Sequence, residues 1–389
     1  MAKKKITAFK FNREEFDDQE TFIRAGRRCA TPVPTDLQIN RVDREVAALR
    51  RVRARVEKVS INIQFTHITN GSEGAITEEQ RVQQVAVLSD AFKPHGIDFV
   101  YHPSTVKIVD KPSWFEMGHR SFSEREAKTA LHIAPEYNLN FYTAGLQSGL
   151  LGWATFPLDL AGDRVMDGVV ILHTSLPGGS GEPYNLGYTA VHEVGHWLGL
   201  YHTFQGGCDA HGDQVGDTEA HSGPNYGCPE EGTHNACPGE ERAPIRNFMN
   251  YVDDACMDRF TVKQGARTRD QIGAYRSGLL TVIEDEADIE KLILGTSVSG
   301  TLSGDEDEKA FTVELPTKAT ISVDGPGGVD FDLYIKRGSR PTTSDYDLRG
   351  YTPGPDEILQ IAPGEPGRYY IVVRSYKGSG EFTLSVELG

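Results

Sequence analysis

Along residues 59–68 (VSINIQFTHI) apolar and polar positions alternate, the period of a strand with one face buried. Residues 77–93 (TEEQRVQQVAVLSDAFK) change to helical spacing after Thr77, which can cap a helix start. Ile97–Tyr101 and Leu139–Tyr142 then read as strands, as do LLGWATFP at 150–157 and GVVILHTS at 168–175. Residues 189–204 (TAVHEVGHWLGLYHTF) and 258–285 read as helices. The order strand, helix, strands, helix predicts an α/β (α+β) unit with a mixed twisted sheet. Upstream, residues 1–36 are polar and mixed in charge, and their end, RAGRRCATPVPT, should be extended around its prolines. Residues 41–56 place apolar positions at helical spacing in an arginine-rich frame, fitting a short amphipathic helix or a processing region.

Past residues 286–299 the pattern changes. AFTVEL, ATISVDG, DFDLYIK, EILQIA, RYYIVVRS and EFTLSVEL alternate in period two with turn signals between them, and this part has no cysteine or histidine. That predicts a small all-β sandwich. At 389 residues the chain should hold more than one domain. The expected division is a leading segment over 1–56, an α/β domain over 57–288 and the sandwich over 296–389.

Composition excludes some classes. With 38% hydrophobic residues the chain can bury sizeable cores, and no apolar run reaches the length of a membrane span. A formal net charge of −16 argues against nucleic acid as a partner, because nothing would offset phosphate repulsion.

The chemistry is concentrated in residues 192–202, which read His192-Glu193-x-x-His196-x-x-Gly199-x-x-His202. Residues i and i+4 share a helix face, so His192 and His196 can aim at one metal ion. Glu193 is offset by one position and can reach a water held by that ion. Gly199 can end the helix in a left-handed turn that returns His202 as a third nitrogen ligand. Three imidazoles on Zn²⁺ leave a fourth position open, which is the catalytic kind of site.

Two further features bear on the chemistry. Residues 205–241 are glycine- and proline-rich and carry eight Asp or Glu but no Lys or Arg. Asp209, Asp213, Asp217, Thr218 and Glu219 could hold Ca²⁺ there, though a solvated charge run has the same composition. Cys208, Cys228, Cys237 and Cys256 lie in or just after this loop, and two disulfides among them allow three pairings. Disulfides indicate an oxidising compartment, so export is expected, although the basic N-terminus is not followed by an apolar signal core. Cys29 is left over, and a thiolate is a good zinc ligand.

The extended histidine motif, with Met249 in NFMNYVDDACMDRFT downstream, resembles the pappalysin family of metzincin endopeptidases from about Arg28 to Tyr275. The resemblance implies a zincin fold and endopeptidase activity on proteins or peptides. Met249 would be the methionine turn beneath the imidazoles, and Tyr251 a donor to the oxyanion. It implies the pairs Cys208–Cys237 and Cys228–Cys256, and it favours calcium in the acidic loop. Gly152, Trp153, Ala154, Thr155 and Phe156 become the edge strand that pairs with substrate, although an ordinary edge strand would read the same way. RRCATP resembles an inhibitory pro-segment whose Cys29 occupies the fourth zinc position. Activation would then require a cut between Thr31 and Val59, for which the arginine-rich stretch 46–55 is suited. The C-terminal part resembles the accessory domain appended to secreted bacterial peptidases, with DFDLYI and YYIVV as the matching strands. The acidic loop and the family together favour basic residues near the scissile bond. A non-catalytic, zinc-stabilised adhesion protein is the rival, but it would have no use for Glu193.

Overall fold

The computed structural model describes residues 8–11, 14–50, 58–101, 103–208, 212–230, 232, 235–239, 242–280, 289–315, 318–338, 340–362 and 367–389. Asp209, part of the arginine-rich stretch and the expected boundaries at 56 and 288 fall outside them. The chain divides into two compact units, residues 1–277 and 278–389.

The first unit begins with a hairpin, β1 (Phe9–Phe11) and β2 (Glu14–Phe16), followed by α1 (Gln19–Arg24) and α2 (Asp36–Leu49). Sequence patterning assigns no element before residue 41. The elements form there because Asp18 caps α1, Thr35 and Gln38 make a reciprocal capping box on α2, and Phe9, Phe11, Phe16 and Phe22 cluster their rings. Between the two helices, residues 27–35 stay free of regular structure, as Pro32 and Pro34 favour.

Next come β3 (Val59–Thr69), α3 (Glu78–Phe92), β4 (Ile97–Tyr101), β5 (Lys107–Asp110), α4 (Pro112–Phe115) and α5 (Phe122–Leu131). They are followed by β6 (Asn138–Ala144), β7 (Gly152–Ala154), β8 (Val169–Leu172), α6 (Tyr188–Trp197) and α7 (Val262–Tyr275). The sheet order is β4-β3-β6-β8-β7, with β5 also on β3; all pairs are parallel except β7 with β8.

The fold corrects two expectations. β3 is buried on both faces rather than one, because it is a central parallel strand and not a surface strand. Some of its polar groups are matched internally: Asn62 donates to Asn138 at 2.8 Å, and His67 Nδ1 lies 2.8 Å from Thr143 Oγ1, while the Gln64 amide is buried without a partner. The edge strand stops at Ala154, so Thr155 and Phe156 are not part of it. Thr155 Oγ1 donates to Asp167 at 2.9 Å, and Phe156 N–H donates to Asp159 at 3.2 Å, which turns the chain before Pro157.

The second unit packs the sheet β10-β17-β12-β15 against the sheet β14-β13-β16-β11-β9, with β9 at Glu290–Lys291, β10 at Ser297–Leu302, β11 at Glu308–Leu315 and β12 at Ala319–Asp324. The rest are β13 (Asp330–Arg337), β14 (Leu348–Gly350), β15 (Glu357–Ile361), β16 (Gly367–Lys377) and β17 (Gly380–Leu388). Its core includes Phe311, Phe331, Leu333, Ile371 and Phe382. The six strands read from alternation are present; β9, β10 and β14 are short or rich in small and polar residues and carry little of that signal.

Candidate active site

Helix α6 presents His192 and His196 on one face, ring centroids 4.8 Å apart. It ends at Trp197 because Gly199 turns left-handed, at φ 92°, and donates its N–H to His196 O at 2.8 Å. A Cβ at Gly199 would come within 2.5 Å of Gln271 Cγ, so glycine is needed for space as well. The turn places the His202 ring 4.5 Å from that of His196.

The hydrogen bonds orient these rings. His192 Nδ1 faces Phe248 O at 2.7 Å and His196 Nδ1 faces Leu200 O at 2.8 Å. A carbonyl only accepts, so each Nδ1 carries the proton and each Nε2 a lone pair. His192 Nε2 is buried without a partner, and His196 Nε2 lies 3.0 Å from His202 Nε2. Burial holds the imidazoles neutral: it pushes His196 down to about 4, and His192 and His202 well below the usual range. Cys29 Sγ joins them, and the four ligand atoms lie within 4.8 Å of one another. Neutral nitrogens and one sulfur pointing at a common centre fit zinc. This is the one such group among the described residues.

Glu193 is fully buried. Its Oε2 accepts from Thr31 Oγ1 at 2.8 Å and from the Cys29 thiol at 3.5 Å, while Oε1 has no partner. Burial raises its carboxyl to about 7, against the pull of those hydrogen bonds and of the Arg28 charge. Tyr251 Oη lies 3.0 Å from His202 Nε2, and burial raises the phenol well above its ordinary value, so it keeps its proton. Met249 packs under α6: a Cβ at Gly195 would sit 2.5 Å from its sulfur. The Met249 turn is pinned by Asn247, which accepts from Met249 N–H at 2.9 Å and exchanges amide hydrogen bonds with Gln264 of α7 at 2.7 and 3.1 Å. Asn250 likewise accepts from Tyr251 N–H and exchanges bonds with Asn225.

Residues 27–31 lie along the cleft edge. Leu151 N–H donates to Arg27 O and Ala30 N–H to Gly152 O, both at 2.9 Å. Gly152–Ala154 is thus the edge that receives an extended chain. Arg28 is buried; its guanidinium stands 5.0 Å from the Tyr184 ring centroid, and Nη1 donates to Thr189 Oγ1 at 3.4 Å.

Sequence reasoning missed Arg28, Thr31, Asp254 and Asp167. Asp254 Oδ2 accepts from Leu186 N–H at 2.9 Å and Tyr188 N–H at 3.4 Å, capping an α6 whose own N-cap, Gly187, has no side chain. Burial raises Asp254 to about 6, against the Arg28 charge and those two N–H groups. Asp167 and Arg276 form a fully buried pair, and Asp167 also accepts from Trp197 Nε1 at 3.0 Å. Only adjacency to recognised motifs, in RRCAT and NYVDD, could have flagged the first three.

The acidic loop is cross-linked by Cys208–Cys237 and Cys228–Cys256. Of the five oxygen candidates, Asp209 lies outside the described residues, and the four described ones serve different partners. Asp217 accepts from Thr261 Oγ1 at 2.6 Å and Lys263 N–H at 3.0 Å, serving the start of α7, and Glu219 pairs with Arg242 at 3.5 Å. Asp213 and Thr218 are different: Asp213 Oδ2 and Thr218 Oγ1 are buried, Thr218 acts on Asp213 as a side-chain hydrogen-bond donor, and burial nonetheless raises Asp213 to about 7.

Comparison with known proteins agrees with this geometry. Residues 178–273 match the Peptidase_M43 family, described as pregnancy-associated plasma protein-A, and residues 307–375 match the bacterial pre-peptidase C-terminal domain. Extracellular metalloprotease 1 of Coccidioides posadasii is 36% identical over 263 residues, covering 65% of this chain and 92% of its own. An extracellular metalloprotease of Pyricularia oryzae is 36% identical over 264 residues, covering 64% and 90%. Mature mirolysin of Tannerella forsythia, solved with a cleaved peptide, superposes with a TM-score of 0.50 at 26% identity, over 57% of this chain and 98% of that one. A promirolysin mutant shares the fold at a TM-score of 0.57 and 24% identity, covering 65% and 97%. The chain belongs to the pappalysin (M43) family of metalloendopeptidases and carries a pre-peptidase C-terminal domain.

Proposed function

We propose that this chain is the latent form of an exported zinc endopeptidase, with residues 1–56 as pro-segment, 57–288 as catalytic domain and 296–389 as accessory domain. The observation that carries the reading is the convergence of the His192, His196 and His202 nitrogens with Cys29 Sγ beside Glu193. When bound, zinc supplies Lewis-acid polarisation of the scissile carbonyl and acidifies the attacking water. His192, His196 and His202 would hold it, with Cys29 as a further ligand until the pro-segment leaves. Glu193 accepts the proton of the attacking water and passes it to the leaving amine, acting as general base and then general acid. Tyr251 donates its hydroxyl proton to the developing oxyanion. The edge Gly152–Ala154 pairs with substrate main chain.

Substrates with a basic side chain beside the scissile bond fit best. Arg28 supports this: its guanidinium is buried at the cleft among Tyr184 and Thr189, and it acts electrostatically on Asp254, whose Oδ1 has no partner. Calcium in the acidic loop is supported by the buried oxygens that Asp213 and Thr218 bring together. Export is supported by the two disulfides and by relatives named as extracellular.

The test compares cleavage of a denatured protein by the processed chain and by its Glu193→Ala variant. A loss of roughly 10²–10⁴-fold is expected; equal rates would reject Glu193 as the base. Cys29→Ala should shorten the self-processing lag of the full-length chain, and an unchanged lag would reject the cysteine latch.

A further inference from the structure

The latch proposed above rests on Cys29, yet Thr31 makes the shorter contacts with the catalytic machinery. Thr31 is buried, and its hydroxyl lies between two groups of the cleft. It donates to Glu193 Oε2 at 2.8 Å and accepts from Ala154 N–H at 2.9 Å. The Thr31 main-chain N–H donates to Cys29 Sγ at 3.4 Å. A hydroxyl has one proton to donate, and here it goes to the carboxylate. An oxygen held 2.8 Å from a general base has the separation from which that base takes a proton. Ala154 is the last residue of β7, a buried strand at the edge of the sheet whose other side pairs with β8. Its N–H is therefore a main-chain donor available to an incoming peptide.

We propose that Thr31 is a second latch, distinct from Cys29: its hydroxyl stands in the nucleophile's place against Glu193 and withholds the Ala154 N–H from substrate. The proposal rests on the reading of residues 27–31 as an inhibitory strip. It adds that the strip holds the general base as well as the metal position. Loss of the sulfur ligand alone, by oxidation or alkylation, then leaves Glu193 covered, and full activation requires the strip to leave.

The contact between Thr31 and Glu193 needs no metal, which allows it to be isolated. Four full-length chains (unsubstituted, Thr31→Val, Glu193→Ala and the double variant) are stripped of metal with a chelator so that none self-processes. Hydrogen exchange of the peptide spanning residues 27–33 is then followed by mass spectrometry. Thr31→Val is expected to speed exchange roughly tenfold or more, the size of a lost hydrogen bond to a charged group. In the Glu193→Ala background the same substitution should accelerate exchange clearly less, because only the Ala154 hydrogen bond is left to lose, and Thr31→Ser, which keeps the hydroxyl, should exchange like the unsubstituted chain. Equal acceleration in both backgrounds, no acceleration, or Thr31→Ser behaving like Thr31→Val would each overturn the proposal. A zinc-loaded arm separates the two latches. At unchanged zinc content Thr31→Val should shorten the self-processing lag, and an unchanged lag counts against Thr31. An unaffected lag in Cys29→Ala rejects the cysteine reading and leaves Thr31 standing.

Discussion

The floor and the rim strip of the cleft are held in different ways. The floor that carries the three imidazoles comprises Met249, the Asn247–Gln264 and Asn225–Asn250 amide pairs and the buried Asp167–Arg276 ion pair that holds Trp197 of α6, with two disulfides cross-linking the segments that follow His202 and Tyr251. Each of these buried polar groups is matched by one from a distant part of the chain, so removing one leaves another unsatisfied in low dielectric. The strip at residues 27–31 touches the floor through Cys29, Thr31 and the Arg28 side chain, and it meets the edge through two main-chain hydrogen bonds. None of its contacts is covalent. The scaffold and the proposed cover thus meet at Glu193.

The largest effect should come from breaking the floor's ion pair. Arg276→Ala leaves Asp167 as an uncompensated buried charge and should cost about 3–5 kcal/mol. A urea-unfolding midpoint indistinguishable from that of the unsubstituted chain would show that the pair is not part of the scaffold. Gly195→Ala comes next. The added methyl would meet Met249 Sδ at 2.5 Å, and overpacking of this kind should cost about 1–3 kcal/mol. It should also reduce zinc affinity, read by chelator competition, because His192 and His196 ride on the displaced helix. If neither changes, Met249 does not support α6.

The smallest expected effect sharpens the comparison at the edge strand. Glu124 is buried with Lys128 at 2.9 Å and accepts from Trp153 Nε1 at 2.7 Å. Burial alone would raise its carboxyl, but Lys128, Trp153 and the Arg120 N–H outweigh burial and leave it lowered. A carboxyl lowered in the folded state contributes stability that is full above the ordinary carboxylate range and is lost as pH falls through and below that range. Melting temperature should therefore drop from about pH 6 to about pH 3.5, and Glu124→Gln should flatten part of that drop. An identical slope in the variant would remove Glu124 from the explanation.

Where a feature depends on neighbours in sequence, it is legible in the chain itself. Thr77 and Gln80 cap α3 through a box that spans four residues, and Ile97–Tyr101 is a strand by its own alternation. The helix α5 (FSEREAKTAL) is harder to read: beyond its Ser121 cap, four charged residues stand against four apolar ones, and two of the charges, Glu124 and Lys128, are buried as a pair. β3 reads as half-buried from its pattern because alternation cannot tell whether a polar residue faces water or a matching partner such as Asn138.

By itself the sequence determined the metal-binding helix, its turn at Gly199, the neutral-nitrogen donor set and the family, because these need only the periodicity of one helix and a short motif. It also marked Cys29 as unexplained. Tertiary structure alone decided what surrounds Glu193. Thr31 is 162 residues from Glu193 in sequence, Arg28 is 161 from Thr189, and Asp167 is 109 from Arg276. No local pattern encodes a contact of that separation, because the pairing exists only once sheet, helix and strip have packed together. Burial then sets the chemistry, raising Glu193 to about 7.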